Sequence, residues 1–258
     1  MIKKDWQHCR HSHARIAERE YLRGAKNVST AEAAAGRNVL VDPSQVKPRT
    51  ALIVDYAGVM TTPVNDSLHA WMVGDGLDPE LCAGFMRELT TRSITEGAGP
   101  VHGLEIGTWS ADRFDRAIAA ELTEAGLGAV VAEGLLSRMF AGLAPDHSMA
   151  DAVGMARAAG VRTALLSNSF GLEYPREDWD RLFDTTVISG EVGLRKPDAA
   201  IYRMACEQLG VDPGDAVFVD DMSPNVDAAE ALGMAGVVHV DTPTTLPVLE
   251  KLLGVPLR

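Results

Sequence analysis

The chain has 258 residues, 46% of them hydrophobic and 23% charged, so it can bury one sizeable core and a smaller satellite but not several large domains. Its net charge of -12 divides into +5 over residues 1–50 and -17 over residues 51–258, and an acidic body disfavours nonspecific nucleic-acid binding. The first twenty residues are polar and charged and no apolar run reaches about eighteen residues, so we predict no membrane span, no secretory signal and a cytoplasmic location.

The first predicted segment is a basic N-terminal extension, residues 1–50, which we interpret as a solvated tail rather than an interaction arm. Its cluster "WQHCRHSH" holds four residues that could bind zinc, at a spacing that matches no familiar closed site: His8, Cys9, His11 and His13. The cysteines of the whole chain are odd in number and widely separated: Cys9, Cys82 and Cys206. We therefore predict no disulfide framework, and cysteines that are either small buried hydrophobic residues or inert surface thiols.

Four short apolar segments rich in branched residues predict buried strands: "TALIVD" (50–55), "VRTALLSNS" (161–169), "GDAVFVDD" (214–221) and "AGVVHVD" (235–241). A helical pattern precedes each of the last three: "SMADAVGMARAAG", "PDAAIYRMACEQLG" and "PNVDAAEALG". This alternation predicts an α/β fold, a doubly wound, Rossmann-like parallel sheet with helices on both faces. Ligands of such sheets bind outside the carboxyl ends of the strands.

A helical segment interrupts this pattern after the first strand, over residues 64–147. Three stretches have helical apolar spacing, with Asp78 and Ser110 as N-caps of the first two: "DPELCAGFMRELTTRS", "SADRFDRAIAAELTEAG" and "VVAEGLLSRMFAGL". An insertion at this point would lie over the carboxyl ends of the sheet and act as a lid. We therefore predict a core domain of residues 51–63 and 148–258 and a helical cap domain of residues 64–147.

Polar residues stand where the predicted strands end or where the following helices begin: Asp55, Ser167 with Asn168, Lys196, and Asp220 with Asp221. A single carboxylate at a strand end is more often a helix cap or a turn former than a nucleophile. Together these residues make a coherent site, because carboxylates can hold Mg²⁺, a hydroxyl and an amide can bind phosphate oxygens, and a lysine can neutralise charge.

The sequence resembles the haloacid dehalogenase superfamily of hydrolases, in its phosphatase branch with a helical cap. The resemblance covers about residues 50–245 and rests on four segments in order: "LIVDYAGV", "ALLSNS", "GEVGLRKPDAAIY" and "VFVDDMSPNVDAAEALGM". Within the predicted cap, "GPVHGLEIGTWSADRF" is similar to a subgroup that includes bacterial sugar-phosphate phosphatases and the phosphatase domain fused to epoxide hydrolase.

The resemblance implies a role for each residue of the predicted site. Asp55 would be the nucleophile that forms an aspartyl-phosphate, Ser167 and the backbone of Asn168 would bind the phosphoryl oxygens, and Lys196 would pair with that group and with Asp55. Mg²⁺ would be held by Asp55, by the backbone carbonyl of Ala57 and by Asp221, with Asp220 as a supplementary ligand. The implied partner is a small phosphorylated molecule, foremost a sugar phosphate, with no nucleic acid and no membrane; a homodimer is compatible with the sequence.

Ala57 departs from the family pattern, in which most phosphatases place an aspartate that protonates the leaving oxygen. General acid-base catalysis contributes about 10²- to 10⁴-fold, so its loss calls for an explanation. Phosphonate hydrolases of the superfamily also have alanine there, but they use a lysine of the cap. None of the six lysines lies in the predicted cap: Lys3, Lys4, Lys26, Lys47, Lys196 and Lys251. Dehalogenases of the superfamily lack Mg²⁺ and need no carboxylate pair, so the presence of Asp220 and Asp221 argues against a dehalogenase.

Two further interpretations of Ala57 stay open. One is a phosphatase whose leaving group needs little protonation, or whose proton comes from another residue of the predicted cap: Asp66, His69 or His102. The other is a slow or silent phosphate-binding protein that uses the fold for recognition or assembly.

Overall fold

Five parallel strands form the centre of the structure, a computed structural model that describes residues 48–258. In chain order the strands are β1 (Ala51–Val54), β2 (Arg162–Ser167), β3 (Thr185–Ile188), β4 (Ala216–Asp220) and β5 (Ala235–Val238). They lie in the order β3-β2-β1-β4-β5, which confirms the predicted doubly wound sheet. The histidine cluster of the basic extension (His8, Cys9, His11 and His13) and the rest of residues 1–47 lie outside the described residues.

Helices cover both faces of the sheet because successive side chains of each strand point in opposite directions. In β1, Leu52 and Val54 enter one apolar layer, and Ala51 and Ile53 enter the other. The first layer is completed by α6 (His147–Ala158), α7 (Trp179–Leu182) and α11 (Thr242–Leu253). The second is completed by α9 (Ala199–Leu209) and α10 (Ser223–Glu230), and a short helix, α8 (Ser189–Val192), follows β3.

The segment after β1 is helical, as predicted. It contains α1 (Val64–Gly74), α2 (Pro79–Glu96), α3 (Gly99–Glu105), α4 (Ala111–Glu124) and α5 (Leu135–Phe140), and we refer to residues 64–140 as the helical insertion. These helices enclose an apolar core of their own. Asp78 accepts hydrogen bonds from the backbone N–H groups of Glu80 and Leu81, and Ser110 accepts one from Arg113, which confirms both predicted N-caps. No described helix has the length and apolar character needed to cross a membrane.

Three elements differ from the sequence prediction. The helix predicted over residues 130–143 forms only over Leu135–Phe140, because it begins at Gly134 in a left-handed conformation with φ 65°. The edge strand β3 was not predicted, since it has four residues and two are threonines. The terminal helix α11 was not predicted either, because Pro247 inside it interrupts the helical signal, although Asp241 caps the helix and Pro243 stands in its first turn.

The chain passes from the sheet domain into the helical insertion at residues 60–62 and returns at residues 144–146, and these two segments lie side by side. Thr61 and Pro145 form an isolated antiparallel bridge. Beside it the Thr62 N–H donates to the Ala144 carbonyl at 2.8 Å, and the Asp146 N–H donates to the Met60 carbonyl at 2.9 Å. The helical insertion is therefore joined to the sheet by two hydrogen-bonded segments that lie side by side.

The two described cysteines, Cys82 on α2 and Cys206 on α9, are buried and free. Burial raises the pKa of each thiol to about 11, so both stay protonated at neutral pH. These two residues are small buried side chains, one of the two predicted alternatives, and Cys9 lies outside the described part of the chain.

Candidate active site

The carboxyl ends of β1, β2 and β4 bring together most of the polar residues singled out in the sequence. Asp55 follows β1 directly, Ser167 ends β2, and Asp220 ends β4. Because these three strands are neighbours, their ends share one edge of the sheet. Lys196 comes from the connection between α8 and α9 and reaches the same edge.

Lys196 lies between two carboxylates in the interior. Its Nζ is 2.7 Å from Asp55 Oδ1 and 2.6 Å from Asp220 Oδ2, and its side chain is 1% exposed. Burial opposes the lysine charge, but attraction by Asp220 and Asp55 outweighs this, and the pKa of Lys196 lies above its ordinary value. The lysine is therefore a fixed cation at the predicted nucleophile.

Asp55, Asp220 and Asp221 form a cluster whose ligand oxygens lie within 4.8 Å of one another. Burial raises the pKa of Asp55, and repulsion by Asp220 and Asp221 adds to the effect of burial, while Lys196 opposes it. Burial and repulsion by Asp220 also raise the pKa of Asp221 to about 6. Three carboxylates facing one ammonium favour a further cation, and their hard oxygen donors fit Mg²⁺.

Asp220 differs from the other two carboxylates because its oxygens already have protein partners. Oδ1 accepts from the Met222 N–H at 2.8 Å and from Asn225 Nδ2 at 3.0 Å, while Oδ2 accepts from Lys196 Nζ at 2.6 Å and from Asn225 Nδ2 at 3.1 Å. Asp220 is placed to orient Lys196, and Asp55 and Asp221 are the freer carboxylates for a metal ion.

The turn after Asp55 is fixed by Gly58, which has φ 85°. A Cβ on this residue would lie 2.6 Å from Asp221 Oδ2, so a side chain here would push Asp221 away. The Gly58 N–H donates to Thr61 Oγ1 at 2.9 Å. Ala57, one residue earlier, therefore lies in the turn that faces the carboxylates, where its backbone carbonyl was predicted to bind the metal.

Ser167 and Asn168 lie beside this cluster at the end of β2. The Ser167 hydroxyl is buried and is 3.1 Å from the hydroxyl of Tyr174. The Asn168 side chain makes a reciprocal pair with the backbone of Lys196: Nδ2 donates to its carbonyl at 3.0 Å, and Oδ1 accepts from its N–H at 2.8 Å. The side chain of Asn168 thus positions Lys196, which leaves its backbone N–H for the role predicted from the resemblance.

The proton donors proposed from the sequence do not join the cluster. Asp66 and His69 are exposed on α1, and within residues 48–258 no hydrogen bond links either of them to the carboxylates. His102 lies on α3, with Nδ1 3.4 Å from Arg195 Nη1. Burial and the charge of Arg195 lower the pKa of His102, so its imidazole is neutral at pH 7 and carries no proton to give as an imidazolium.

A buried ion pair that the sequence analysis missed connects the helical insertion to this site. Arg195, next to Lys196, has Nη2 2.8 Å from Glu105 Oε2 on α3. Its Nη1 donates to the Ser93 carbonyl at 3.0 Å and to Ser93 Oγ at 2.9 Å. Glu105 Oε1 accepts from Asn168 Nδ2 at 3.3 Å. The only sequence signal was the adjacency of Arg195 to Lys196, because its partners are about ninety to a hundred residues away in the chain.

Glu105 makes folding stability depend on pH. Burial raises the pKa of Glu105 to about 7, although Arg195 and the hydrogen bond from Asn168 oppose this. The ordinary pKa of the carboxyl is 4.5, so the folded state binds its proton more tightly than the unfolded chain does. The contribution is complete below pH 4.5 and is lost as the pH rises to about 7.

When the pH rises from about 5 to about 8, we predict that the free energy of unfolding falls by about 2–3 kcal/mol less in Glu105→Gln than in the wild type. The free energy of unfolding by urea, measured at both pH values with EDTA present, tests this. Glu121→Gln, which breaks the surface pair with Arg92 (3.1 Å), is the matched control and should change the pH dependence by less than about 0.5 kcal/mol. Parallel pH profiles for wild type and Glu105→Gln would contradict the assignment.

Comparison with known proteins identifies relatives of this chain. A family model described as haloacid dehalogenase-like hydrolase matches residues 87–233. Bifunctional epoxide hydrolase 2 of Sus scrofa is 40% identical over 75 residues, which are 29% of this chain and 14% of that protein. Sesquiterpene phosphatase of Aspergillus oryzae is 33% identical over 117 residues, 43% of this chain and 59% of that protein. The chain thus spans less than two thirds of both relatives.

Enolase-phosphatase E1 of Frankia alni is matched over more of its length, with 31% identity over 182 residues, 66% of this chain and 72% of that protein. Among solved structures, a haloacid dehalogenase family enzyme of Bacteroides thetaiotaomicron, in complex with magnesium and inorganic phosphate, is similar with a TM-score of 0.54. It is 18% identical and the match covers 76% of this chain and 98% of that chain, so the likeness concerns the fold.

Proposed function

The chain belongs to the haloacid dehalogenase-like hydrolases, and on that basis we propose that it is a Mg²⁺-dependent phosphatase of a small phosphorylated metabolite. The observation that carries this proposal is the position of Lys196, 2.7 Å from Asp55 and 2.6 Å from Asp220, with Asp221 in the same cluster. The similarity to proteins named as phosphatases supports phosphate-ester chemistry.

Mg²⁺ would be held by the carboxylates of Asp55 and Asp221 and by the backbone carbonyl of Ala57. When bound, it neutralises negative charge on the phosphoryl group and on the carboxylates. Asp220, whose oxygens are occupied by Lys196 and Asn225, would act mainly by orienting the lysine.

In the first half of the reaction, an Asp55 carboxylate oxygen attacks the phosphorus in line with the bond to the leaving oxygen. The Ser167 hydroxyl and the Asn168 backbone N–H bind the phosphoryl oxygens. Lys196 keeps the Asp55 carboxylate oriented and lowers the repulsion between it and the incoming dianion. In the second half, water attacks the aspartyl-phosphate and releases inorganic phosphate and Asp55.

The helical insertion would act as the cap that selects the substrate. An open cavity of about 880 Å³ lies between the connection of α3 to α4 and the segment after β2, and its lining includes Leu104, Trp109 and Tyr174. A small organic group fits such a volume. Asp55 and Lys196 do not line this cavity, but Tyr174 does, and its hydroxyl is 3.1 Å from Ser167 Oγ, so we propose the cavity for the organic part of the substrate.

Sugar phosphates are the substrate class that we propose. The preference rests on the similarity of the insertion to sugar-phosphate phosphatases and on Ala57, which suits a good leaving group such as an anomeric oxygen. A cytoplasmic location, a homodimer and the lack of a nucleic-acid or membrane partner stay predictions from the sequence.

Ala57 also favours a second candidate function, a slow or silent phosphate-binding protein. Against it, Asp55, Lys196 and Asp220 keep close contacts that a protein without catalysis does not need. A phosphonate hydrolase would need a lysine in the cap, and the sequence has none between residues 64 and 147.

We predict that the protein releases phosphate from at least one member of a panel of sugar 1-phosphates, sugar 6-phosphates and para-nitrophenyl phosphate. EDTA should lower the rate by more than about 10²-fold, and added Mg²⁺ should restore it, because the carboxylate cluster needs a cation. Inorganic phosphate is measured with and without each addition. Absence of metal-dependent turnover on every panel member, with phosphate binding retained, would favour the silent binding protein.

A further inference from the structure

The proposed reaction lacks a proton donor at position 57, and the phenol of Tyr174 lies beside the predicted phosphate-binding residue Ser167. Tyr174 follows β2 by seven residues, and its hydroxyl is 3.1 Å from Ser167 Oγ and 3.5 Å from the Asn168 carbonyl oxygen. Both partners belong to the predicted phosphate-binding segment. The phenol therefore points to the place where the substrate phosphate would lie.

The ring of Tyr174 is held by an aromatic cluster. Its centroid is 5.0 Å from that of Tyr56, 4.9 Å from that of Phe170 and 5.5 Å from that of Trp179. Such edge and tilted contacts fix both the position and the direction of a ring. Tyr56 lies between Asp55 and Ala57, so the cluster also ties the phenol to the turn that lacks the usual acid.

The surroundings of Tyr174 keep its hydroxyl protonated. Burial raises the pKa of Tyr174 above its ordinary value, and the negative charges of Asp55 and Glu191 add to this, while the hydrogen bond with Ser167 opposes it. At neutral pH the group is a phenol with one O–H to donate. Tyr174 also lines the cavity proposed for the organic part of the substrate, so it stands between that group and the phosphate.

We infer that Tyr174 is a catalytic residue that donates its proton to the leaving oxygen, in the place of the acid that is missing at Ala57. This inference rests on the proposed phosphatase function. As the bond from Asp55 to phosphorus forms, the bond from phosphorus to the leaving oxygen breaks, and its electron pair takes the phenol proton to give an alcohol and a phenolate. The attacking water then returns a proton to the phenolate while its oxygen bonds to phosphorus, which frees Asp55 and hydrogen phosphate.

The test compares leaving groups, because a structural role of Tyr174 would affect all substrates alike. Tyr174→Phe should lower kcat/KM for a sugar 6-phosphate, a poor leaving group, by about 10²-fold, and that for para-nitrophenyl phosphate by less than about threefold. Tyr56→Phe is the matched control, since within residues 48–258 the Tyr56 hydroxyl makes no hydrogen bond although its ring lies in the same cluster. Its effect on both substrates should stay below about threefold.

A double-mutant cycle gives a second, independent readout. Ala57→Asp restores the family's usual acid. It should raise turnover of the sugar 6-phosphate more in the Tyr174→Phe background than in the wild type, because either residue would donate the same proton to the leaving oxygen. Equal losses on both substrates, or additive effects in the cycle, would overturn the role of Tyr174 while leaving the phosphatase function intact. A wild-type protein that turns over no panel member would overturn both.

Discussion

Asp55→Asn should abolish metal-dependent phosphate release, with a loss of more than about 10⁴-fold in kcat, because an amide cannot form the aspartyl-phosphate. The substitution is nearly isosteric, and its carbonyl oxygen can still accept the hydrogen bond from Lys196 Nζ, now 2.7 Å from Oδ1. Removing one of three clustered carboxylates also relieves repulsion, since burial and the neighbours Asp220 and Asp221 raise the pKa of Asp55. The midpoint of thermal unfolding in EDTA should therefore stay the same or rise.

Phosphate release and thermal unfolding of the same Asp55→Asn preparation separate chemistry from folding. Asp227→Asn, on the exposed side of α10, is a matched control that should keep both properties within error. If Asp55→Asn retained more than about a tenth of the wild-type kcat, another group would be the nucleophile.

Lys196→Met should lower both turnover and stability. The lysine is buried between Asp55 and Asp220, so its removal leaves two facing carboxylates without a cation. Breaking a buried ion pair on one side costs about 3–5 kcal/mol, and we expect a loss of this order in the free energy of unfolding at about pH 8. We expect kcat to fall by about 10³-fold, since the nucleophile loses the group that orients it.

The stability loss of Lys196→Met should shrink toward about pH 5. The Asp55 carboxylate, whose pKa is already raised by burial, would take up a proton there, and its repulsion with Asp220 would disappear. Urea unfolding at the two pH values measures this, with Lys251→Met on the exposed side of α11 as control. A variant as stable as the wild type at about pH 8 would show that Lys196 does not balance the charge of the cluster.

The sequence was sufficient for four of the five strands and for most residues of the candidate site, because both depend on local signals. A buried parallel strand is a continuous apolar run, and the polar residue that ends it marks the carboxyl edge of the sheet, as at Asp55, Ser167 and Asp220. The N-caps Asp78 and Ser110 could also be predicted, because each cap is adjacent in the sequence to the helix that it begins. The short strand β3 was missed because a four-residue edge strand with two threonines has no such run.

The residues that were missed at the site depend on side-chain contacts that exist only in the folded chain. Arg195 gains its role from Ser93 and Glu105, which lie on helices of the insertion. Tyr174 is an unremarked aromatic residue of a connecting segment until folding brings its hydroxyl to Ser167. Conversely, Asp66 and His69 have side chains that can donate a proton, but they lie on the exposed side of α1. The type of a side chain and its position in the sequence do not reveal which residues reach the candidate site and which stay on the surface.

Because the two segments that join the helical insertion to the sheet lie side by side, at residues 60–62 and 144–146, we expect the insertion to be exchangeable. Its ends are within hydrogen-bonding distance of each other, so another helical module with similarly close ends could be grafted there without a change in the register of any strand. A graft would need an acidic residue and hydrogen-bond acceptors opposite Arg195, because this buried guanidinium would otherwise lose its partners Glu105 and Ser93. Under those conditions we expect a grafted module to change which molecules reach the carboxyl edge of the sheet without changing the residues at that edge.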